Sequence, residues 1–184
     1  NSDISANGHG TKVAGLIGAE ADNDVGFCGM AGKYPLELIP VRVLGEDGKG
    51  KIADVVRGIY WAIDNGADIL NMSFGANMSY YPTALANAIR DARRQNVFSI
   101  CAGGNDTGYN SSTTYSGFYP ADLQDAYPVL AGYYMSANIQ SFSYCAKYSD
   151  VPGYDYVGHD GSGLLTTEPG GGDARPTGTS SSCA

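Results

Sequence analysis

A serine and a histidine near opposite ends of the chain are of the residue types that nucleophilic catalysis needs. Ser180 follows Gly178 and Thr179, where a polar loop meets small residues able to open a helix. A serine at a helix N-terminus lies near unpaired N–H groups, which favour negative charge developing beside it. Because a serine hydroxyl is inert without a base, His9 is the candidate partner.

The residues between these two alternate between predicted strands and predicted helices. Apolar residues at helical spacing predict helices over residues 9–21, residues 53–65 and from Pro82 to Arg94. Short apolar runs predict strands over 36–44, 68–72 and 97–102, with Pro40 a misfit in the first. After about residue 106 the pattern is irregular, with short strand-like runs at 127–131 and 139–144.

This alternation is typical of a parallel sheet with right-handed crossovers, in which ligands bind at the carboxyl ends of the strands. Two such ends are predicted here. They are followed by Ser73 to Gly75 and by Gly103 to Asn105.

Composition limits the possible classes of protein. A chain of 184 residues, 43% hydrophobic, is long enough for one core, so we expect one domain over 1–184. A net charge of −8 without a basic cluster argues against a nucleic-acid partner. No apolar run approaches the roughly 18 residues that a membrane span needs, so no membrane partner is expected. The Gly- and Tyr-rich loops favour a secreted protein.

The four cysteines are Cys28, Cys101, Cys145 and Cys183, and they allow three full disulfide pairings that the sequence does not distinguish. Cys28 and Cys101 lie in apolar stretches of sequence. Both a buried free thiol and a disulfide bridge fit such surroundings.

Several short motifs occur in the order, and at roughly the spacing, of the subtilisin-like serine proteases. They are His9 to Thr11 with Val13 to Gly15, Val41 to Leu44, Asn71 to Gly75, Ala102 to Asn105, and Gly178 to Ser180. The sequence therefore resembles this family over essentially its whole length. The resemblance implies a three-layer α/β fold with a mostly parallel sheet and helices on both faces, truncated at both ends here.

The resemblance also implies roles for particular residues. Ser180 matches the nucleophile, and His9 matches the general base that takes its proton and returns it to the leaving amine. Asn105 matches the side chain that forms the oxyanion hole together with the N–H of the nucleophile. A neutral carboxamide suits this task because its NH₂ group can donate to a developing oxyanion.

Two stretches match the backbone walls between which these proteases take an extended protein or peptide substrate as an added strand. One wall is Ser73, Phe74 and Gly75, the other is Lys49 and Gly50, and the floor between them is Ala102, Gly103 and Gly104. The stretches 73–75 and 102–104 are small or apolar and uncharged. We therefore expect a pocket for a large apolar P1 residue, the residue on the acyl side of the scissile bond.

The sequence also departs from the family pattern. In the family an aspartate that ends an earlier strand orients the histidine, and Asp3 follows no strand, so we expect this acid to lie outside the chain. The sequence ends four residues after Ser180, where the family continues with a buried helix. We expect residues 1–184 alone to be inactive, with the missing N- and C-terminal pieces of the domain as partners.

The loop that begins at Asp22 lies where the family often binds calcium. Asn23 is the candidate side-chain ligand for a structural Ca²⁺, and a polar turn that ends a helix is the alternative. No cofactor is expected to be required for the chemistry. The alternative function is that of a subtilase relative that binds extended peptides without cleaving them.

Overall fold

The computed structural model describes residues 8–105, 117–135, 138–142, 157–160 and 163–184. The helices are α1 (His9–Gly18), α2 (Ile52–Asp64), α3 (Thr83–Arg94) and α4 (Thr179–Cys183). The strands are β1 (Ile69–Met72), β2 (Ala76–Met78), β3 (Phe98–Ala102), β4 (Gly117–Tyr119), β5 (Ala126–Met135), β6 (Asn138–Phe142), β7 (Val157–Asp160), β8 (Thr166–Glu168) and β9 (Gly172–Ala174). Among these helices, none is long and apolar enough to cross a membrane.

The main sheet is mostly parallel. Its order is β1-β3-β5-β6, and β7 also pairs with β5. Strands β1, β3, β5 and β7 run parallel, while β6 pairs with β5 in the antiparallel direction. Two small antiparallel ribbons, β2 with β4 and β8 with β9, lie apart from this sheet. Because β1 and β3 are parallel neighbours, their carboxyl ends meet at one edge, as the sequence predicts.

Both faces of the sheet are covered. Helices α2 and α3 pack on one face around a core that includes Leu70, Cys101 and Ile89, the last with none of its surface exposed. On the opposite face, Ala102 and Val129 pack against Cys183 of α4. Side chains alternate between the two faces of a strand, which is how β3 serves both layers. The result is the three-layer α/β arrangement expected from the sequence.

Helices α2 and α3 confirm the predictions made from the apolar periodicity of the sequence. The buried residues of α2 are Val55, Ile59 and Ala62, spaced three and four apart. Helix α3 ends at Arg94, with its last turn carrying the positive charge that the negative end of a helix favours.

The predicted strand over 36–44 is wrong. The chain there is irregular, although Val41 and Val43 still pack partly against the core. An extended stretch becomes a strand only when a neighbour pairs with its backbone, and Pro40 removes one of the donors for such pairing. Helix α1 begins at His9 itself and ends at Gly18, three residues before the predicted end.

The cysteine expectations have mixed outcomes. Cys28 is exposed, so the prediction of buried, apolar surroundings is wrong for that residue. Cys101 and Cys183 are buried, and each of these three thiols is free. Cys145 lies outside the described residues, as does Asp3.

Candidate functional site

His9 and Ser180 meet at one backbone oxygen. The Nε2 atom of His9 lies 2.9 Å from the carbonyl oxygen of Ser73. The hydroxyl of Ser180 donates to the same oxygen at 2.8 Å. Residues that are far apart in the sequence are therefore neighbours at the carboxyl end of β1, as the sequence predicts.

Ser73 also holds Ser180 through its own side chain. Its hydroxyl, in a residue only 6% exposed, donates to the carbonyl oxygen of Ser180 at 3.1 Å. The backbone and side chain of Ser73 together connect the end of β1 to the first turn of α4. The sequence predicts Ser73 only as part of a substrate wall, because nothing in the sequence indicates which groups a backbone carbonyl will meet.

His9 is held in place by the β8–β9 ribbon. The hydroxyl of Thr166, a fully buried residue, donates to the carbonyl oxygen of Lys12 at 2.5 Å. The hydroxyl of Thr167 donates to the carbonyl oxygen of Thr11 at 2.8 Å. Both acceptors belong to the first half of α1, so the ribbon fixes the turn that carries the imidazole. The sequence did not point to either threonine.

Asn105 is fixed by Thr179, the residue before Ser180. The side-chain oxygen of Asn105 accepts hydrogen bonds from the backbone N–H of Thr179 at 2.9 Å and from its hydroxyl at 3.0 Å. The Thr179 hydroxyl in turn accepts from the N–H of Gly104 at 3.1 Å. Since two donors face the Asn105 oxygen, the orientation of the carboxamide is determined, and its NH₂ group must face the other way.

Gly178 leaves room for this carboxamide. Its φ of 142° belongs to a region that side chains rarely adopt. A Cβ atom at this position would lie 3.0 Å from the Nδ2 of Asn105 and 3.1 Å from its Oδ1. Each residue of the Gly178-Thr179-Ser180 motif therefore has a physical reason. Gly178 leaves space, Thr179 orients Asn105, and Ser180 supplies the candidate nucleophile.

The floor and one wall of the predicted substrate groove lie beside this site, but the space between them is filled. A Cβ atom built on Gly75 would lie 2.3 Å from the ring of Phe118, and one on Gly104 would lie 3.2 Å from the same ring. The phenyl ring thus packs directly against both glycines. Among the described residues, the ring of Phe118 therefore lies between Gly75 and Gly104, where the sequence predicts an open pocket for a large apolar residue.

The second predicted wall, Lys49 and Gly50, lies in a turn. The N–H of Lys49 donates to the Oδ1 of Asp47 at 3.0 Å, and its carbonyl oxygen accepts from the N–H of Gly45 at 2.8 Å. This turn lines an open groove of about 750 Å³ that does not include His9, Ser73 or Ser180. Its role as a substrate wall stays a prediction.

The predicted calcium loop has the geometry of a polar turn. The side-chain oxygen of Asn23 accepts from the N–H of Val25 at 3.0 Å, and Asp22 forms an exposed ion pair with Lys33 at 3.5 Å. Within the ranges that the structure describes, no three His, Cys, Asp or Glu side chains gather to hold a metal ion. Calcium binding by this loop, with Asn23 as a ligand, stays a prediction.

The buried thiol near the candidate nucleophile is kept neutral. Burial raises the pKa of Cys183 to about 12, although a hydrogen bond with Ser73 lowers it in part. Since the thiolate is the reactive form of cysteine, Cys183 does not compete with Ser180 as a nucleophile.

Comparisons with known proteins identify the family of this chain. The sequence matches the subtilase family over residues 1–184. It is 37% identical over 177 residues to subtilisin BL of Lederbergia lenta, covering 90% of this chain and 61% of that protein. It is 35% identical over 156 residues to a thermophilic serine proteinase of Bacillus sp. strain AK1, covering 84% of this chain and 36% of that protein.

Solved structures show the same likeness. The fold superimposes on the prenylagaramide maturation protease PagA with a TM-score of 0.77 and 30% identity, covering all of this chain and 62% of that one. For sphericase the TM-score is 0.75 at 25% identity, with 97% and 60% covered. The chain belongs to the subtilase family and has its three-layer α/β fold. It spans between about one third and two thirds of the length of these relatives.

Proposed function

We propose that this chain carries the nucleophile, the base and the oxyanion-hole side chain of a serine endopeptidase. The observation that supports this proposal most strongly is the meeting of His9 Nε2 and Ser180 Oγ at the carbonyl oxygen of Ser73. Acyl transfer first requires a nucleophile and a base that can come into hydrogen-bond reach of each other, and these two side chains contact the same oxygen atom. Membership of the subtilase family supports the same chemistry.

In the arrangement described, the hydroxyl of Ser180 points to Ser73 rather than to the imidazole. A carbonyl oxygen only accepts, so this contact is a hydrogen bond in the His9 tautomer that has its proton on Nε2. To act as a base, Nε2 must be unprotonated and must replace the Ser73 oxygen as acceptor for the Ser180 hydroxyl. Catalytic hydrogen bonds commonly form only when the substrate is bound, and both side chains already lie around this oxygen.

Acylation then follows from these groups. The Ser180 oxygen attacks the scissile carbonyl carbon while its proton moves to His9 Nε2. The Nδ2 of Asn105 and the N–H of Ser180 donate to the oxyanion that forms. When the C–N bond breaks, His9 gives the proton to the leaving amine, and an ester to Ser180 remains.

Deacylation reverses these roles with water. The oxygen of a water molecule attacks the ester carbonyl while His9 takes a proton from that water. The same donors bind the second oxyanion. The proton then passes from His9 to the Ser180 oxygen as the carboxylic acid product leaves. That an aspartate orients His9 stays a prediction; in the family pattern this aspartate precedes the histidine in the sequence.

A secreted location is part of the proposal and is supported by the loop composition. Detection of the protein in the medium of expressing cells tests it.

Labelling with a fluorophosphonate tests the assignment of the nucleophile, because only an activated serine reacts. We expect one adduct, on Ser180, found by mass spectrometry of the purified full-length protein, with the missing pieces of the domain present. Ser180→Ala should abolish it, and Ser79→Ala, a matched change at an exposed serine, should leave it intact. A folded protein that binds extended peptides but takes no label would instead support the non-catalytic alternative, and an adduct on a different serine would contradict the assignment.

A further inference from the structure

Phe118 comes from a part of the chain that none of the predicted site motifs includes. It is the middle residue of β4, which pairs with β2 in a short antiparallel ribbon, with Phe118 opposite Asn77. Strand β2 begins directly after Gly75. The ribbon therefore places Phe118 next to the end of β1, where Ser73 meets His9 and Ser180.

The ring of Phe118 fills the space between two backbone segments of the site. One is Gly75, two residues after Ser73, and the other is Gly104, directly before Asn105. The contact distances at both positions are so short that a Cβ atom on Gly75 would overlap the ring and one on Gly104 would press against it. The two glycines are thus complementary to this ring, and a side chain of similar size has no room between them.

The backbone on both sides of the ring is clamped. The N–H of Phe118 donates to the Oδ2 of Asp122 at 2.7 Å, and the N–H of Asp122 donates to the carbonyl oxygen of Phe118 at 2.9 Å. The next residue, Tyr119, packs edge-to-face against Tyr81, with ring centroids 6.0 Å apart. With its main chain held in this way, Phe118 is a fixed part of the wall.

We infer that Phe118 is the specificity-determining residue of this site and restricts the P1 side chain of the substrate to small residues such as alanine, glycine and serine. This inference rests on the proposed function, because it takes the space beside Ser73 and Asn105 as the P1 position. It replaces the large apolar P1 residue expected from the sequence. A phenylalanine at P1 would have to displace the ring from its contacts with both glycines.

Peptide binding to the Ser180→Ala protein tests the inference without requiring turnover. Two extended peptides that differ only in alanine or phenylalanine at P1 are compared by calorimetry. We expect the alanine peptide to bind about tenfold or more tightly, a typical effect of a misfitting side chain. Adding Phe118→Ala should open the space and improve binding of the phenylalanine peptide by about tenfold or more, with a smaller effect on the alanine peptide.

The matched control is Phe98→Ala, which also removes a phenyl ring. Phe98 is the first residue of β3, at the end away from Gly104, and it is 44% exposed. This variant should leave the preference unchanged. Phe118→Leu guards against loss of folding in the alanine variant, because it keeps an apolar side chain in place, and it should give an intermediate preference. Circular dichroism checks the fold of each variant.

Three results would overturn the inference. They are equal binding of the two peptides to the unsubstituted pocket, an unchanged preference in both folded Phe118 variants, and failure to bind either peptide. Failure of the proposed function would give a different result. Ser180 would then take no fluorophosphonate label, while the P1 preference and its dependence on Phe118 remained.

Discussion

Replacing Thr179 with valine removes one hydroxyl and keeps nearly the same shape. That hydroxyl, in a residue 1% exposed, donates to the side-chain oxygen of Asn105 and accepts from the N–H of Gly104. In the valine variant the Gly104 N–H loses its partner, and Asn105 keeps only its bond from the Thr179 backbone. Asn105 should then point its NH₂ group less firmly at the oxyanion.

The magnitudes follow from these two lost hydrogen bonds. An orphaned buried N–H costs about 1 to 3 kcal/mol of folding free energy. The loss in transition-state stabilisation is about 1 kcal/mol, the net value of one hydrogen bond, which lowers kcat by about fivefold. KM should change little, because the oxyanion exists only after the attack on the substrate.

Both effects are measured on the full-length protein, the first by steady-state kinetics on a peptide with alanine at P1 and the second by thermal unfolding. Thr179→Ser is the matched control, since it keeps the hydroxyl and should restore most of kcat. If Thr179→Val is folded and has an unchanged kcat, or if serine fails to restore it, then Thr179 does not position Asn105.

Two further predictions concern stability. Burial raises the pKa of Asp122 from 3.8 to about 6, so the folded state binds a proton more tightly than the unfolded state, and stability should fall as the pH rises between about 4 and 6. Asp122→Asn should remove this pH dependence and raise the free energy of unfolding above pH 6 by about 1 to 2 kcal/mol, a value reduced because the carboxyl is partly exposed. Urea unfolding at several pH values measures both effects, and an unchanged pH dependence in the variant would contradict the prediction. Ile89→Ala should lower the free energy of unfolding by about 2 to 5 kcal/mol, because Ile89 is fully buried. Ile69→Ala should lower it far less, because that residue is 62% exposed. Similar urea midpoints for the two variants would refute the packing argument.

Much of the central fold could be predicted because its elements carry their own local signals. Helices α2 and α3 bury residues at three- and four-residue spacing. Strand β1 is a short run between these two helices, and β3 is a short run that follows α3. The polar residues after those strands pointed to the edge where His9 and Ser180 meet. The local sequence pattern is sufficient to predict an element when that element also buries the apolar face that the pattern defines.

The rest depends on contacts between distant segments. Residues 36–44 have the composition of a strand, but pairing requires a neighbour that the sequence does not name. The β2–β4 ribbon has three residues on each side, too few for a visible alternation, so the sequence did not reveal that Phe118 lies against Gly75. For the same reason the sequence predicts an open space for the P1 side chain.

In the proposed mechanism, His9 and Ser180 act as one unit at the Ser73 carbonyl. This is tested most directly by a double-mutant cycle in the full-length protein, which compares hydrolysis of the alanine peptide by His9→Ala, Ser180→Ala and the double variant, each checked for folding. General base catalysis contributes about 10²- to 10⁴-fold, so His9→Ala should lower kcat by about that factor. Because the base has no task without its nucleophile, the double variant should be no slower than Ser180→Ala alone. Losses that multiply in the double variant would show that the two residues act independently and would contradict the account.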